Sequence, residues 1–190
     1  MNSFEVRQIF VGEEMKALYQ GHFMRDFPSD ELKSLDLMEK LMKKNINTVW
    51  VAEREGKLLG YYALAREPGN PLVLLDFLAV EPEQRDKGIG SALMKAILAQ
   101  LREGESLIIE SERVDYARSE EERINRQRRI QFYLRAGAVL RREWVKLFGV
   151  EYSLLTIGNA PESVEAYYWS CARTMLPEEI LKKNLLFYSS

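Results

Sequence analysis

Hydrophobic positions along this chain change their period several times, and each change marks an element. Phe4, Val6 and Ile9 to Val11 suggest an opening strand, and Glu13 to Gln20 a short helix. Leu32, Leu35, Leu37, Met38, Leu41 and Met42 recur at helical spacing. Ser29-Asp30-Glu31 follows Pro28 with cap-type residues, so this helix is expected to start at Ser29. Thr48 to Arg54 and Leu58 to Ala65, rich in aromatic and β-branched residues, flank the turn Glu55-Gly56-Lys57 and read as a hairpin. After the turn Glu67-Pro68-Gly69-Asn70-Pro71, Leu72 to Val80 is a strand apolar on both faces, as a central strand covered by helices would be.

From Ser91 to Arg102 the apolar residues Leu93, Ile97 and Leu101 recur at fourfold spacing, which predicts a helix stopped by Gly104. Leu107 to Glu110 reads as a short strand and Glu120 to Arg135 as a charged helix ending at Gly137. Trp144 to Val150 and the aromatic stretch Val164 to Ala172 read as strands. Pro177 opens a last helix through Leu186. No repeat, low-complexity tract or linker interrupts the order. The expectation is a single mixed α/β (α+β) domain over residues 1–190, with its core motifs in about 4–150 and a strand and helix in 151–190 completing it.

Composition narrows the function classes. At 190 residues, with 46% hydrophobic and 29% charged positions, the chain can bury a core, and disordered or collagen-like classes are excluded. Lys+Arg 27 against Asp+Glu 29 gives a net charge of -2, so no global basic field would hold nucleic acid or an anionic membrane. The basic run Arg126-Gln127-Arg128-Arg129 stands one to two turns after Glu120, Glu121 and Glu122, and reads as an ion-paired helix face. The single Cys171 excludes an intrachain disulfide and a cysteine-cluster metal site, and fits a reducing, cytoplasmic setting. Charged Glu5 and Arg7 argue against a secretory signal, and the most apolar run, Pro71 to Val80, is too short to span a bilayer. His22 is the only histidine; with no second ligand nearby it is a weak base candidate, and no metal is expected.

The chemistry concentrates in Leu75 to Leu93: a buried strand, then a turn carrying Arg85, Lys87, Gly88 and Gly90, then a helix. Amides at a helix start point outward unpaired, and glycines remove the Cβ that would keep an anion away, so such a turn suits phosphate oxygens. The spacing of a P-loop is absent, and the third glycine of a dinucleotide fingerprint is replaced by Leu93. What fits is R-x-x-G-x-G, from Arg85, Gly88 and Gly90, between a strand ending L-x-V-x-P and an amphipathic helix. In this the sequence resembles the GNAT superfamily of N-acetyltransferases. A second match, Phe132-Tyr133-Leu134-Arg135-Ala136-Gly137-Ala138, is similar to the family's F-Y-x-x-x-G-[FA] ending of the helix after the fifth strand.

The resemblance implies the acyl-CoA N-acyltransferase fold, a mostly antiparallel central sheet flanked by helices, with acetyl-CoA as co-substrate and no metal. It implies that backbone groups of Leu78, Ala79 and Val80 pair with the pantetheine arm. The amides of Lys87, Gly88, Ile89, Gly90 and Ser91, with Arg85 adding charge, would take the pyrophosphate. Tyr133 stands where the family has its general acid. Many members carry an Asn seven residues before that tyrosine; here the position is Arg126, with Asn125 adjacent. An alkyl amine with a pKa of about 10.4 is protonated at neutral pH, so a base is also required. Glu110 is favoured because it ends an apolar strand, with Asp76, Glu112 or a water chain as alternatives. The carboxylates Glu110, Glu112, Asp115 and Glu120 to Glu122 would attract a cationic amine, unless they form a solvated loop. The expected acceptor is a small-molecule or peptide amine. A coenzyme-binding sensor or interaction module without turnover is the main alternative, and a nucleic-acid-associated protein a weaker one. The segments Val164 to Ala172 and Pro177 to Tyr188 are expected to complete a sheet or form a homodimer contact.

Overall fold

The computed structural model describes residues 4–29 and 31–189; Asp30, part of the expected helix cap, lies outside them. The chain divides into two compact units, Met1–Arg66 with Leu75–Gln100, and Glu67–Leu74 with Leu101–Ser190. Strands are mostly antiparallel and flanked by helices, giving the mixed α/β class expected.

In the first unit β1 (Glu5–Ile9), β2 (Asn47–Arg54), β3 (Lys57–Arg66) and β4 (Leu72–Val80, from Leu75 onward) are neighbours in that order. Glu55 and Gly56 turn β2 into β3 with φ of 52° and 72°, the two positive values a tight hairpin needs. Helix α1 (Glu13–Leu18) continues through a π-helical stretch, Tyr19–Phe23, into the short α2 (Met24–Asp26). Their apolar side buries Met15, Leu18 and Phe23 with Ile9, Met38, Tyr61 and Phe77. Ring centroids lie 4.6 Å apart for Phe23 and Tyr61 and 4.7 Å for Phe27 and Phe77.

Helix α3 (Leu35–Lys43) starts later than its apolar spacing suggested. Its cap is Ser34, whose hydroxyl accepts from the Leu37 amide at 3.3 Å. The preceding residues are committed elsewhere: Tyr19 donates to the Lys33 carbonyl at 2.9 Å, and the Lys33 ammonium binds Asp76. Helix α4 (Ile89–Leu98) buries Leu93, Met94 and Ile97 and ends before the expected Arg102. There Gln100 turns away, donating to the Tyr62 hydroxyl at 2.6 Å while its carbonyl accepts from Arg66 at 3.2 Å.

In the second unit the neighbour order is β5 (Ser106–Glu112), β7 (Val150–Ile157), β6 (Val139–Leu147) and β8 (Leu185–Tyr188). Each of these pairs is antiparallel. Helix α5 (Glu120–Arg135) keeps the limits read from sequence. Ser119 caps it by accepting from the Glu122 amide at 3.1 Å, a contact worth about 1 kcal/mol.

Three expectations are corrected here. Val164 to Ala172 is not a strand: helix α6 (Glu165–Met175) buries Tyr168, Cys171, Ala172 and Met175, which recur at helical spacing. The strand read over Trp144 to Val150 breaks at Phe148 and Gly149, whose positive φ of 49° and 86° form a hairpin turn into the unforeseen β7. The last helix, α7 (Glu178–Asn184), gives way at Leu185 to β8, so Leu185 and Leu186 belong to a strand. Among the described residues no helix is long and apolar enough to cross a membrane, and no group of three His, Cys, Asp or Glu is placed to hold a metal.

Candidate functional site

The first unit carries a site made mainly of backbone. After the buried start of β4, its last residues Leu78, Ala79 and Val80 are only partly covered. A Cβ on Gly60 of β3 would stand 2.6 Å from the Ala79 carbonyl oxygen and 3.0 Å from Leu93 Cδ1, so only glycine permits this approach. A single 3₁₀ turn, Pro82–Gln84, then leads to Asp86 and Gly88, whose φ of 61° and 79° are left-handed. Gly88 opens α4, and no side chain caps the helix, so the first-turn amides of Ile89, Gly90 and Ser91 face outward with the positive end of the helix dipole. Exposed Arg85 and Lys87 flank them, and Arg85 Nε donates to the Val80 carbonyl at 3.3 Å. The nine residues chosen from sequence for coenzyme binding thus fall on one strand–turn–helix segment with an anion-accepting geometry.

Beside β4 lies a network that no sequence period announces. The Glu81 carboxylate binds His22 Nδ1 at 2.7 Å and Arg25 at 2.8 Å. Arg25 also binds Asp26 at 2.8 Å, and Tyr61 donates its hydroxyl to Asp26 at 2.9 Å. Burial by itself would raise the Asp26 carboxyl, but hydrogen bonds from Arg25 and Tyr61 outweigh it and hold the group below its usual value. Burial, helped by Asp26, pushes the Tyr61 phenol far above its ordinary range. Asp76, one of the base alternatives, is paired with Lys33 and accepts from Asn47 at 2.8 Å, with 5% of its side chain exposed.

The second unit carries a site made of side chains. Because β5 extends to Glu112, Glu110 and Glu112 share one face of the strand. Glu110 accepts the hydroxyl hydrogen of Tyr168, a buried phenol raised well above its usual value by burial and by the charge of Glu110. Glu112 binds Arg126 at 2.7 Å and Arg129 at 3.5 Å. Arg126 also donates to the Arg113 carbonyl at 2.9 Å and lies 3.6 Å from Glu122. The arginine at the family's Asn position is therefore bound within the protein. Asp115 and Glu120 pair with Arg113 at 3.2 Å and Arg123 at 2.6 Å, so much of the acidic cluster read from sequence carries arginine partners.

Tyr133 is buried on α5, against Phe132 at 5.2 Å between ring centroids. Burial raises its phenol, and the nearby Arg129 charge offsets part of that rise, so the group keeps its proton throughout the neutral range. The phenol is therefore protonated at neutral pH and available as a donor, while burial makes it a weaker acid than a free tyrosine and the Arg129 charge acts the other way. Sequence reasoning read Arg129 only as part of an ion-paired helix face, although its place four residues before Tyr133 puts both on one side of α5.

Residues 45–137 match the family model "Acetyltransferase (GNAT) domain". This chain carries a GNAT domain. The match runs from the start of β2 through the β4–α4 turn to the end of α5, and so includes both glycines of the turn and Tyr133. Solved GNAT structures resemble the fold over most of the chain. A GNAT-family protein from Bacteroides thetaiotaomicron has 16% identity and a TM-score of 0.68, covering 90% of this chain and 94% of its own. An acetyltransferase of the family from Elizabethkingia anophelis, solved with acetyl-CoA bound, has 13% identity and a TM-score of 0.57 over 84% and 100%. The ribosomal-protein-S18-alanine N-acetyltransferase of Escherichia coli has 15% identity and a TM-score of 0.57 over 85% and 98%. At these identities the likeness is one of fold. No curated protein matches the sequence.

Proposed function

We propose that the protein is an acetyl-CoA-dependent N-acetyltransferase that acts by direct attack of a primary amine, free or on a peptide. The observation that carries this reading is the uncapped start of α4 behind the left-handed Gly88, immediately downstream of the half-covered end of β4. Those residues suit a coenzyme with a pyrophosphate and an amide-bearing arm. Leu78, Ala79 and Val80 offer backbone donors and acceptors to the arm, and the amides from Lys87 to Ser91 with the Arg85 charge suit the phosphates.

Acetyl-CoA, when bound, supplies the acetyl thioester. Tyr133 gives its hydroxyl proton to the departing sulfur. Glu110, held by Tyr168, is the carboxylate assigned to take a proton from the incoming ammonium. The ammonium loses two protons in becoming an amide: one passes through the base to solvent, and the other restores the Tyr133 phenol. Arg126, bound to Glu112, shapes this side of α5 in place of an asparagine amide.

The test is thiol release from acetyl-CoA with spermidine, glucosamine, Nα-acetyl-lysine and an alanine-initiated hexapeptide as acceptors, beside thermal unfolding with and without CoA. Turnover of one or more acceptors with CoA-dependent stabilisation supports the reading. Stabilisation without turnover would replace it with a sensor or interaction module. A preference for spermidine would favour a cationic acceptor. A preference for neutral amines would mean that the arginine-paired carboxylates do not select charge.

A further inference from the structure

Near Tyr133 the side-chain site holds an arginine, Arg129, that has no part yet in the proposed chemistry. On α5, Arg126, Arg129 and Tyr133 lie on one face at spacings of three and four residues. One carboxylate, Glu112, serves both arginines through different oxygens, Arg126 through Oε1 at 2.7 Å and Arg129 through Oε2 at 3.5 Å. Arg126 is nearly covered and has Glu112, the Arg113 carbonyl and Glu122 as partners. Arg129 is tethered at a longer distance and half exposed, one helical turn before the buried phenol. On the neighbouring strand and the turn after it, Arg113 is paired with Asp115, and the remaining carboxylate of β5, Glu110, is engaged by Tyr168.

We infer that Arg129 is a positioning residue for Tyr133: its guanidinium, oriented by Glu112, stabilises the phenolate left when the phenol proton is given up. The inference rests on the reading of Tyr133 as general acid. When the Oη–H bond breaks, the electron pair stays on the phenolate oxygen and the proton forms the S–H bond of CoA. Burial alone makes that charge separation unfavourable, because a buried anion loses its hydration. A guanidinium one turn away offsets part of the loss and remains charged at every working pH. Glu112 tempers the effect only in part, because it is bound more closely to Arg126, at 2.7 Å, than to Arg129, at 3.5 Å.

The experiment uses Tyr133→Phe, Arg129→Met, Arg129→Lys and the Tyr133→Phe/Arg129→Met double variant, with acetyl-CoA and the acceptor panel above. Expected are a kcat for Arg129→Met lower by about tenfold, KM for acetyl-CoA within about twofold, partial recovery in Arg129→Lys, and a double variant no slower than Tyr133→Phe. Multiplying losses in the double variant would show Arg129 acting independently and would overturn the inference. A second measurement needs no turnover: a fluorinated tyrosine at position 133, whose more acidic phenol titrates where the fold is stable. Arg129→Met should raise its midpoint by about one pH unit, and an unchanged midpoint would overturn the inference. Wild-type turnover in Tyr133→Phe would instead overturn the parent assignment of the general acid. The titration would then still decide whether Arg129 acts on the phenol.

Discussion

The β4–α4 turn and the α5 face reach a reactive geometry by different means. The turn is built from backbone: a glycine where a strand needs close approach, a left-handed glycine at a helix start, and amides without a cap. The α5 face is built from side chains, with one buried phenol and a chain of arginines and carboxylates that set one another's positions. A backbone site depends on a few positions where any Cβ does harm, and it tolerates change elsewhere. A side-chain site can be weakened through residues that never touch the reactants.

This contrast can be tested by substitution. The largest effect expected is for Tyr133→Phe, with kcat lowered by about 10²-fold or more in the thiol-release assay while CoA still raises the Tm. Retained kcat would put the side-chain half of the comparison in doubt. Gly60→Val places branched carbons against the Ala79 carbonyl, so stabilisation by CoA should be largely lost and apparent coenzyme affinity should fall by about tenfold or more. Undiminished stabilisation would mean that β4 shifts freely. Gly88→Ala forces a Cβ onto a left-handed φ of 79°, at a cost of about 1 kcal/mol in denaturant unfolding, with coenzyme affinity lowered several-fold. The smallest effect concerns acid stability. The Asp26 carboxyl is held below its unfolded value, so its contribution is present above about pH 4 and is lost as pH falls through the lower folded value. Arg25→Met should therefore reduce stability at neutral pH and flatten the loss on acidification below about pH 4, followed by urea midpoints. An acid profile identical to wild type would remove Arg25 from the network.

What sequence made visible follows the same division. The strand Leu72–Val80 and the helix Glu120–Arg135 have the limits their residues suggested, because apolar runs, a serine cap and glycines act locally. The β4–α4 turn was readable since its signal lies in consecutive residues. Val164 to Ala172 was misread because Tyr167, Tyr168 and Trp169 favour strands, although burial falls at helical spacing. The link from His22 and Arg25 to Glu81 joins residues more than fifty positions apart, and no local pattern encodes it. Arg129 was within reach, being one turn from Tyr133, but its effect depends on sharing Glu112 with Arg126, which only the fold brings about.

The short strand β8 has a practical consequence. Trp144 on β6 stacks on Tyr188 with ring centroids 3.9 Å apart, and Leu147, Lys146 and Val145 pair in register with Leu185, Leu186 and Phe187. These few residues shield the hydrogen-bonding rim of β6 from other chains. Truncation before Leu185 would uncover that rim together with an indole ring, and so favour self-association over any change in catalysis. A chain shortened for crystallisation or fusion should therefore keep Leu185–Tyr188 rather than stop at the end of α7.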